Sequence, residues 1–275
     1  MTSGIRVNRT ADTTKVGLLH PGVSTRGDAH VLDLAPDCDL SGRIEINGSN
    51  NRVAIGAGSA LKPCAPAGFA ATVPDMGRRS DASLSIDGND NRVEIEDGVQ
   101  LALNIVVRGD GNRIRIAPAC HLHGFVNLIA DGATLEIGTG TTMVQGSIQL
   151  HEPLSVIIGS DCMISSQVYI SASDIHPIYD RATGARINAG RSVEIGDHVW
   201  LGLRTMVLKG SHIGTGAITA AGALVSGNVP AHAIVGGAPA RVLRQNVNWQ
   251  REFGANDVVL VPPASKAWPW WSFRR

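Results

Sequence analysis

Branched apolar or β-branched residues recur at every sixth position along much of this chain. A helix would repeat its buried face about every 3.6 residues and a two-sided strand about every 2, so a period of six fits neither. Short strands joined by identical corners produce this period, and three such hexapeptides close one triangular coil. The pattern predicts an all-β parallel β-helix in which residues one coil apart stack at about 4.8 Å. The register is occupied by Ile158, Ile164, Ile170, Ile195, Leu201, Val207, Ile213, Thr219 and Val225.

Glycine follows several of these residues, as in Ile158-Gly159 and Ile195-Gly196. Because glycine lacks a Cβ, we expect it to allow the tight backbone conformation of each corner. The chain has 32 glycines and only 4% aromatic residues, which is typical of a thin and repetitive core.

A longer repeat precedes the hexapeptides. The pattern Gly-x-x-Asn-Arg, followed by alternating apolar residues, occurs at 48–55, 88–95 and 109–116. Its apolar slots lie 21 residues apart and lead into the hexapeptide region, as in Val93, Ile114, Leu135 and Val156. We interpret the segment 41–157 as coils with enlarged corners and 158–245 as the hexapeptide coils. The Pro- and Gly-rich stretch 62–80 predicts a protruding loop or an irregular coil.

The two ends of the chain lack this periodicity. Residues 1–40 are predicted to cap the open end of the helix, because an uncovered coil would expose strand edges. Residues 246–275 form a short C-terminal tail that contains Trp-Pro-Trp-Trp. Exposed tryptophans are unfavourable, so we expect the tail either to fold back on the helix or to contact a neighbouring subunit.

Charge and composition exclude several function classes. The 24 basic and 24 acidic residues balance, so no overall field attracts nucleic acid or an anionic membrane. No stretch approaches the ~20 apolar residues of a membrane span, and the N-terminus has no apolar run typical of a signal peptide. These features predict a cytoplasmic protein whose membrane contact, if any, is through the tail. The four scattered cysteines favour reduced thiols and predict no metal site.

The six-residue register breaks once, between Ile170 and Ile195. The insertion contains Asp174, at a slot that is small or apolar in most coils, and His176-Pro177 in a loop assigned to 176–188. Loops inserted into repeat scaffolds often carry function, and a carboxylate in such a slot needs a partner, for which His176 is one candidate. From the residues alone, a functional histidine and an exposed turn residue are equally good interpretations of His176.

Several segments within 160–245 resemble the hexapeptide-repeat O-acetyltransferases, most closely the bacterial enzymes that modify capsule, polysialic acid and lipopolysaccharide. The segments are Ser165-Ser166, His176-Pro177-Ile178, Ile195-Gly196-Asp197-His198-Val199-Trp200-Leu201-Gly202 and Gly236-Gly237-Ala238-Pro239-Ala240-Arg241-Val242. The resemblance implies a left-handed β-helix, a homotrimer, acetyl-CoA as co-substrate and a carbohydrate acceptor.

The resemblance also implies roles for individual residues. His176 matches the general base that takes the proton of the acceptor hydroxyl, with Asp174 beside it in the loop. Trp200 matches an aromatic residue beside that histidine; packing at a corner under the loop is the structural alternative. The implied acetyl-CoA residues are Gly202, Ala220, Ala221, Ser226, Gly237, Arg241 and Arg244.

Ser226-Gly227 and Lys209 also lie near this region. Ser226-Gly227 stands where many relatives have Thr-Lys, so a lysine that commonly meets phosphate is absent. Lys209, in a family-typical Leu-Lys-Gly, is predicted to be solvated.

The β-helix is also compatible with three rival functions. A γ-class carbonic anhydrase needs two histidines five apart, a spacing that this sequence lacks, and His121 with His123 is a weak metal signal. A non-catalytic scaffold and an amino-sugar N-acetyltransferase both remain open. The N-terminal coils, with polar corners from the repeated Asn-Arg, predict a long groove suited to an oligosaccharide.

Overall fold

The computed structural model describes residues 5–8, 22–63 and 82–254, with the backbone alone described for 5–8. These residues form a parallel β-solenoid of about nine turns, and no helix occurs among them. The described ranges accordingly hold no helix long and apolar enough to cross a membrane. The strands are β1 Ile5–Asn8, β2 Val23–Asp28, β3 Val31–Leu34, β4 Arg43–Ser49, β5 Arg52–Ile55, β6 Ala60–Leu61, β7 Ser83–Asp87, β8 Arg92–Ile95, β9 Gln100–Arg108, β10 Arg113–Ile116, β11 His121–Ile129, β12 Thr134–Ile137, β13 Thr142–Leu150, β14 Ser155–Ile158, β15 Met163–Ser171, β16 Val193–Ile195, β17 Trp200–Leu201, β18 Met206–Val207, β19 His212–Ile213, β20 Ile218–Thr219, β21 Leu224–Val225, β22 Asn228–Val229, β23 Ala233–Gly236 and β24 Arg241–Gln245.

The strands stack in three ladders, which are the three faces of the solenoid. The first face runs from β3 through β5, β8, β10, β12, β14, β16 and β19 to β22. The long strands β9, β11, β13 and β15 each bend across two faces, as the two partners of β15 show: Met163 pairs with Trp200 on the second face and Tyr169 with Met206 on the third. The predicted fold class, a left-handed parallel β-helix of triangular coils, is confirmed.

The predicted spacing places like residues in register. Val93 pairs with Ile114 one coil later, and Ile195 pairs with Ile213. The inward-facing residues of these strands are almost fully buried, so the core is one continuous apolar column along the axis. Burial of that column is the main favourable term in forming the fold.

The coil ladder begins earlier than the sequence predicts. Strands β2 and β3 lie within the segment assigned to a cap at 1–40, yet they pair in parallel with β4 and β5 at an offset of 21 residues, as in Val23 with Ile44. Residues 22–40 therefore belong to the coils, and the cap prediction is wrong for them. Strand β1 pairs antiparallel with β3. Most of the remaining predicted cap, Cys64 and most of the stretch 62–80 lie outside the described residues.

The glycines that follow the apolar slots are required for a different reason from the one expected. Gly196 does not have a positive φ, but a Cβ on it would lie 2.7 Å from the backbone nitrogen of Thr215 in the next coil. The positive φ falls two residues later, at 53° on His198. Because successive coils are only about 4.8 Å apart, the close backbone approach excludes a side chain at this position.

The repeated asparagines of the N-terminal coils lie inside the solenoid. Asn51, Asn91 and Asn112 are almost fully buried. Oδ1 of Asn91 accepts from the backbone N–H of Asn112 at 2.9 Å, and its Nδ2 donates to the carbonyl of Gly109 at 2.9 Å. This ladder satisfies backbone groups that the enlarged corners leave without strand partners. These asparagines therefore do not form a polar groove at the corners.

Candidate active site

The inserted loop projects from the corner between the third face and the first, which we call the third corner. Strand β15 ends at Ser171 and β16 begins at Val193. Within the loop, Tyr179 and Arg186 form an antiparallel bridge. His176 is exposed, and its imidazole makes no hydrogen bond within the part of the chain that the structure describes. An exposed imidazole without a partner on a structured loop is free to act on a bound molecule.

Asn188 holds the backbone around His176. This side chain is 8% exposed. Its Nδ2 donates to the carbonyl of His176 at 2.9 Å and to Oδ2 of Asp174 at 2.9 Å, while its Oδ1 accepts from the N–H of Ile178 at 2.7 Å. One buried amide thus ties both ends of the segment 174–178 and fixes where the histidine emerges.

Lys209, from the next coil, pairs with Asp174. Its Nζ also donates to the carbonyl of Asn188 at 3.0 Å, and its side chain is only 19% exposed, so the prediction that Lys209 is solvated is wrong. The Lys209 ammonium, and then the Asn188 amide, lower the pKa of Asp174 below its ordinary value. The Asp174 carboxylate therefore anchors the loop. Asp174 contacts His176 only through its backbone carbonyl, which accepts from the backbone N–H of His176 at 2.7 Å.

Glu152, from the preceding coil, clamps the other arm of the loop. It accepts two bonds from the Arg186 guanidinium, at 3.1 and 2.5 Å, and both of its oxygens lie 3.2 Å from the N–H of Gly190. The bond from Arg186 is the main reason that the pKa of Glu152 is lowered. Bidentate arginine–carboxylate pairs fix orientation as well as distance. The loop is thus held from the coil on each side.

His151 lies at the same corner as the loop and was not singled out from the sequence. Its Nε2 lies 3.1 Å from Oε1 of Gln149. Burial lowers the pKa of His151, and the charge of His176 lowers it further. The strand register could have located His151 at this corner, because Gln149 pairs with Ser171 and residue 151 therefore lies at the level of residue 173.

This pKa shift predicts how stability depends on pH. Because the pKa of His151 is lower in the folded chain than its ordinary 6.5, the unfolded chain takes up the proton first as the pH falls. The free energy of unfolding should be greatest above 6.5 and decrease as the pH falls from there towards the lowered value. Urea titrations across this range measure the slope. His151→Gln should reduce the slope without removing it, because burial also lowers the pKa of His123; an unchanged slope would contradict the assignment.

Trp200 lies on the second face, away from the loop. Its Nε1 donates to Oγ of Ser165 at 3.3 Å, and its ring is tilted at 6.1 Å from the ring of Trp249. The third face separates it from the corner that carries His176. Within one chain, the structure therefore does not bring Trp200 beside the histidine.

The described part of the tail, 246–254, folds back along the corner between the first and second faces. Trp249 stacks on His198 at 4.1 Å, and its Nε1 donates to the His198 carbonyl at 2.8 Å. Arg251 donates to Oδ1 of Asp161 at 2.9 Å. The fold-back alternative is thus observed for these residues, and the predicted contacts of Trp268, Trp270 and Trp271 fall outside the described residues.

The residues assigned to acetyl-CoA divide into three groups. Gly202, Ala220, Ala221 and Gly237 follow strands of the second face and stack at the corner between the second and third faces. Ser226 follows β21 and lies at the third corner, where Lys209 also lies. Arg241 and Arg244 are exposed on β24, which pairs antiparallel with β23. No group of three His, Cys, Asp or Glu side chains arranged to hold a metal ion occurs in the described ranges.

Comparison with known proteins adds sequence and fold relatives. A polysialic acid O-acetyltransferase of Neisseria meningitidis is 38% identical over 128 residues, which are 46% of this chain and 60% of that protein. A polysialic acid O-acetyltransferase of Escherichia coli O1:K1 is 33% identical over 120 residues, 44% of this chain and 39% of that protein. The chain thus matches less than two thirds of either relative. It resembles the hexapeptide-repeat acetyltransferases.

The solved structures extend the likeness to the whole coil stack. The crystal structure of NeuO, a polySia-specific acetyltransferase, superposes with a TM-score of 0.60 at 24% identity, covering 86% of this chain and 93% of that one. No family model matches the chain. The fold of the hexapeptide-repeat acetyltransferases therefore extends across the N-terminal coils as well as the hexapeptide region.

Proposed function

We propose that this chain is an acetyl-CoA-dependent O-acetyltransferase that acts on a sugar hydroxyl of a bacterial surface glycan, with His176 as general base. The observation that supports this most directly is the exposed His176 imidazole on a loop anchored by Asp174, Asn188 and Lys209. The similarity to polysialic acid O-acetyltransferases supports the acceptor class.

The chemistry requires a base because a sugar hydroxyl is a weak nucleophile at neutral pH. His176 takes the hydroxyl proton as the oxygen bonds to the acetyl carbon, and then returns that proton to the departing sulfur. Acetyl-CoA supplies the activated acetyl group and leaves as the free thiol. The loop anchors keep the imidazole in one orientation, which is where much of the rate gain of a positioned base arises.

The donor would lie along the corner formed by Gly202, Ala220, Ala221 and Gly237. The small side chains of these four residues leave room beside the second face, which fits an extended pantetheine arm. Arg241 and Arg244 are exposed on the adjacent strand and suit phosphate groups. Ser226, at the third corner, would lie nearer the reacting end.

We propose a homotrimer because one chain keeps His176 and Trp200 on different sides of the coil. A neighbouring copy whose second face packs against the third corner of this chain would bring its own Trp200 towards His176. Mass measurement by light scattering tests this arrangement, and a monomer with full activity would contradict it.

The reaction is tested by CoA thiol release from acetyl-CoA against a panel of bacterial glycans that includes polysialic acid. We expect release only when a glycan is present. Treatment of the product with hydroxylamine separates the alternatives, since an O-acetyl ester is cleaved and an N-acetyl amide survives. A stable product would favour the amino-sugar N-acetyltransferase, and the absence of any turnover would favour a scaffold.

Asn188→Ala should lower kcat because it frees the backbone on both sides of His176. We expect a loss of roughly 10- to 100-fold, since small misplacements of a catalytic group have effects of this size. The melting temperature should change little, because the loop lies outside the apolar column. Steady-state kinetics and a thermal melt measure both quantities. Unchanged kcat would show that the amide does not position the histidine.

A further inference from the structure

The third face of the N-terminal coils carries an unusual set of outward side chains. Strands β7, β9, β11 and β13 present two rows, Ser83, Asn104, Phe125 and Ser147 beside Ser85, Val106, Asn127 and the largely buried Gln149, which we call the third-face strip. The set is rich in hydroxyl and amide groups and has no charged member. With four strands in register, the strip extends over about 14 Å along the solenoid axis.

Phe125 has an exposed aromatic side chain that the packing of the solenoid does not require. Its side chain is 50% exposed at the centre of the strip. Its neighbours across the ladder are Asn104 and Ser147. No aromatic partner of Phe125 occurs among the described residues. An aromatic ring surrounded by amides and hydroxyls is typical of a surface that binds a ligand with both apolar and polar sides.

The polar side chains of the strip hydrogen-bond to one another. Several of their donors and acceptors have no partner among the described residues. Ser83 donates to Oδ1 of Asn104 at 2.8 Å, and the Nδ2 group of Asn104 has no hydrogen-bond partner among the described residues. Asn127 donates to Oε1 of Gln149 at 3.1 Å, and Gln149 donates to Oγ of Ser147 at 2.7 Å. Among the described residues, the side-chain Oδ1 of Asn127 and the hydroxyl proton of Ser147 remain available to bind a ligand. Fixed donors and acceptors of this kind suit the hydroxyl rim of a sugar, while the Phe125 ring suits its C–H face.

The strip leads directly to the candidate active site. Gln149 lies 3.1 Å from His151 and pairs with Ser171, the last strand residue before the inserted loop. In the other direction the strip opens into a concavity of about 720 Å³, lined in part by Ser83, Asn104 and Arg43. The strip thus runs from a groove on the first coils to the corner that carries the inserted loop.

We propose that the third-face strip binds the acceptor glycan as an extended chain, with a sugar ring against Phe125 and hydroxyls on Asn104, Asn127 and Ser147. This inference rests on the proposed function, because it names the route by which the acceptor reaches His176. A contact between copies of the chain is the rival occupant. The core of such an interface is apolar, whereas amides and hydroxyls surround Phe125 here.

The test compares Phe125→Ala with Val144→Ala. Val144 is also an exposed apolar residue of β13, at 46%, but lies outside the third-face strip. The wild type and both variants are applied to a glycan array that includes polysialic acid fragments of increasing length and neutral oligosaccharides. We expect wild-type binding to strengthen with length and Phe125→Ala to weaken it by about fivefold to tenfold, with Val144→Ala unchanged.

Kinetics with acetyl-CoA and a polymeric acceptor that carries no acetyl groups add a second readout. Phe125→Ala should raise KM for the polymer, leave kcat unchanged, and leave KM for a monosaccharide acceptor unchanged. Array binding that depends on Phe125 without any turnover would support the strip and overturn the proposed function. Turnover that is indifferent to Phe125, or no glycan bound on the array, would overturn the strip.

Light scattering on the same proteins checks the rival occupant. We expect both variants to keep the wild-type mass. If Phe125→Ala dissociates the assembly while Val144→Ala does not, the strip is a contact between copies and the glycan assignment is wrong.

Discussion

His176→Ala is expected to lower the rate of acetyl transfer by about 10² to 10⁴, the usual contribution of a positioned general base. The loss should appear in kcat, because the variant keeps the loop anchors at Asp174 and Asn188 and the donor corner. Release of CoA thiol with a glycan acceptor measures it. The expected result assigns proton transfer to this imidazole and distinguishes an enzyme from a scaffold.

The matched control is His212→Ala. His212 is an exposed histidine on the first face, and its ring pairs with Glu194 at 3.2 Å. It should retain wild-type activity. If both variants lose activity equally, the loss reflects the fold; if His176→Ala remains as active as wild type, the base must be sought elsewhere at the third corner, first at His151.

Asn91→Ala should cause a large loss of stability in the N-terminal coils. The change leaves the N–H of Asn112 and the carbonyl of Gly109 without partners inside the solenoid. Each buried unsatisfied group costs about 1–3 kcal/mol, so the free energy of unfolding should fall by about 3 kcal/mol. Urea unfolding followed by circular dichroism measures the change.

Asn228→Ala provides the comparison. Asn228 is exposed on the first face, so its loss should change the free energy of unfolding by less than about 0.5 kcal/mol. A similarly small effect of Asn91→Ala would show that the enlarged corners do not depend on the buried ladder.

The sequence predicted the coil stack because its cause is local. In a strand, alternate side chains point inward, so the period of Ile195, Leu201 and Val207 directly records the corners of the triangle. The 21-residue spacing of Val93 and Ile114 likewise records the enlarged coils. The same reasoning missed the coils at residues 22–40, where fewer repeats were available to establish the register.

The contacts within the candidate site could not be predicted from the periodicity of the sequence. Lys209 was predicted to be solvated, yet it meets Asp174, 35 residues earlier. Glu152 meets Arg186 across 34 residues. Both pairs depend on the path that the inserted loop takes over the stacked coils, and nothing in a hexapeptide pattern specifies this path.

The sequence by itself determined the β-helix, the place where its register breaks, and the residue types in that break. Only the tertiary structure decided which of them meet: Lys209 pairs with Asp174, Trp200 lies on another side, and the repeated asparagines turn inward. The physical reason is that strand periodicity is set by each residue and its neighbours in the chain. Contacts at a corner are set instead by the stacking of coils about 4.8 Å apart, which joins residues distant in sequence.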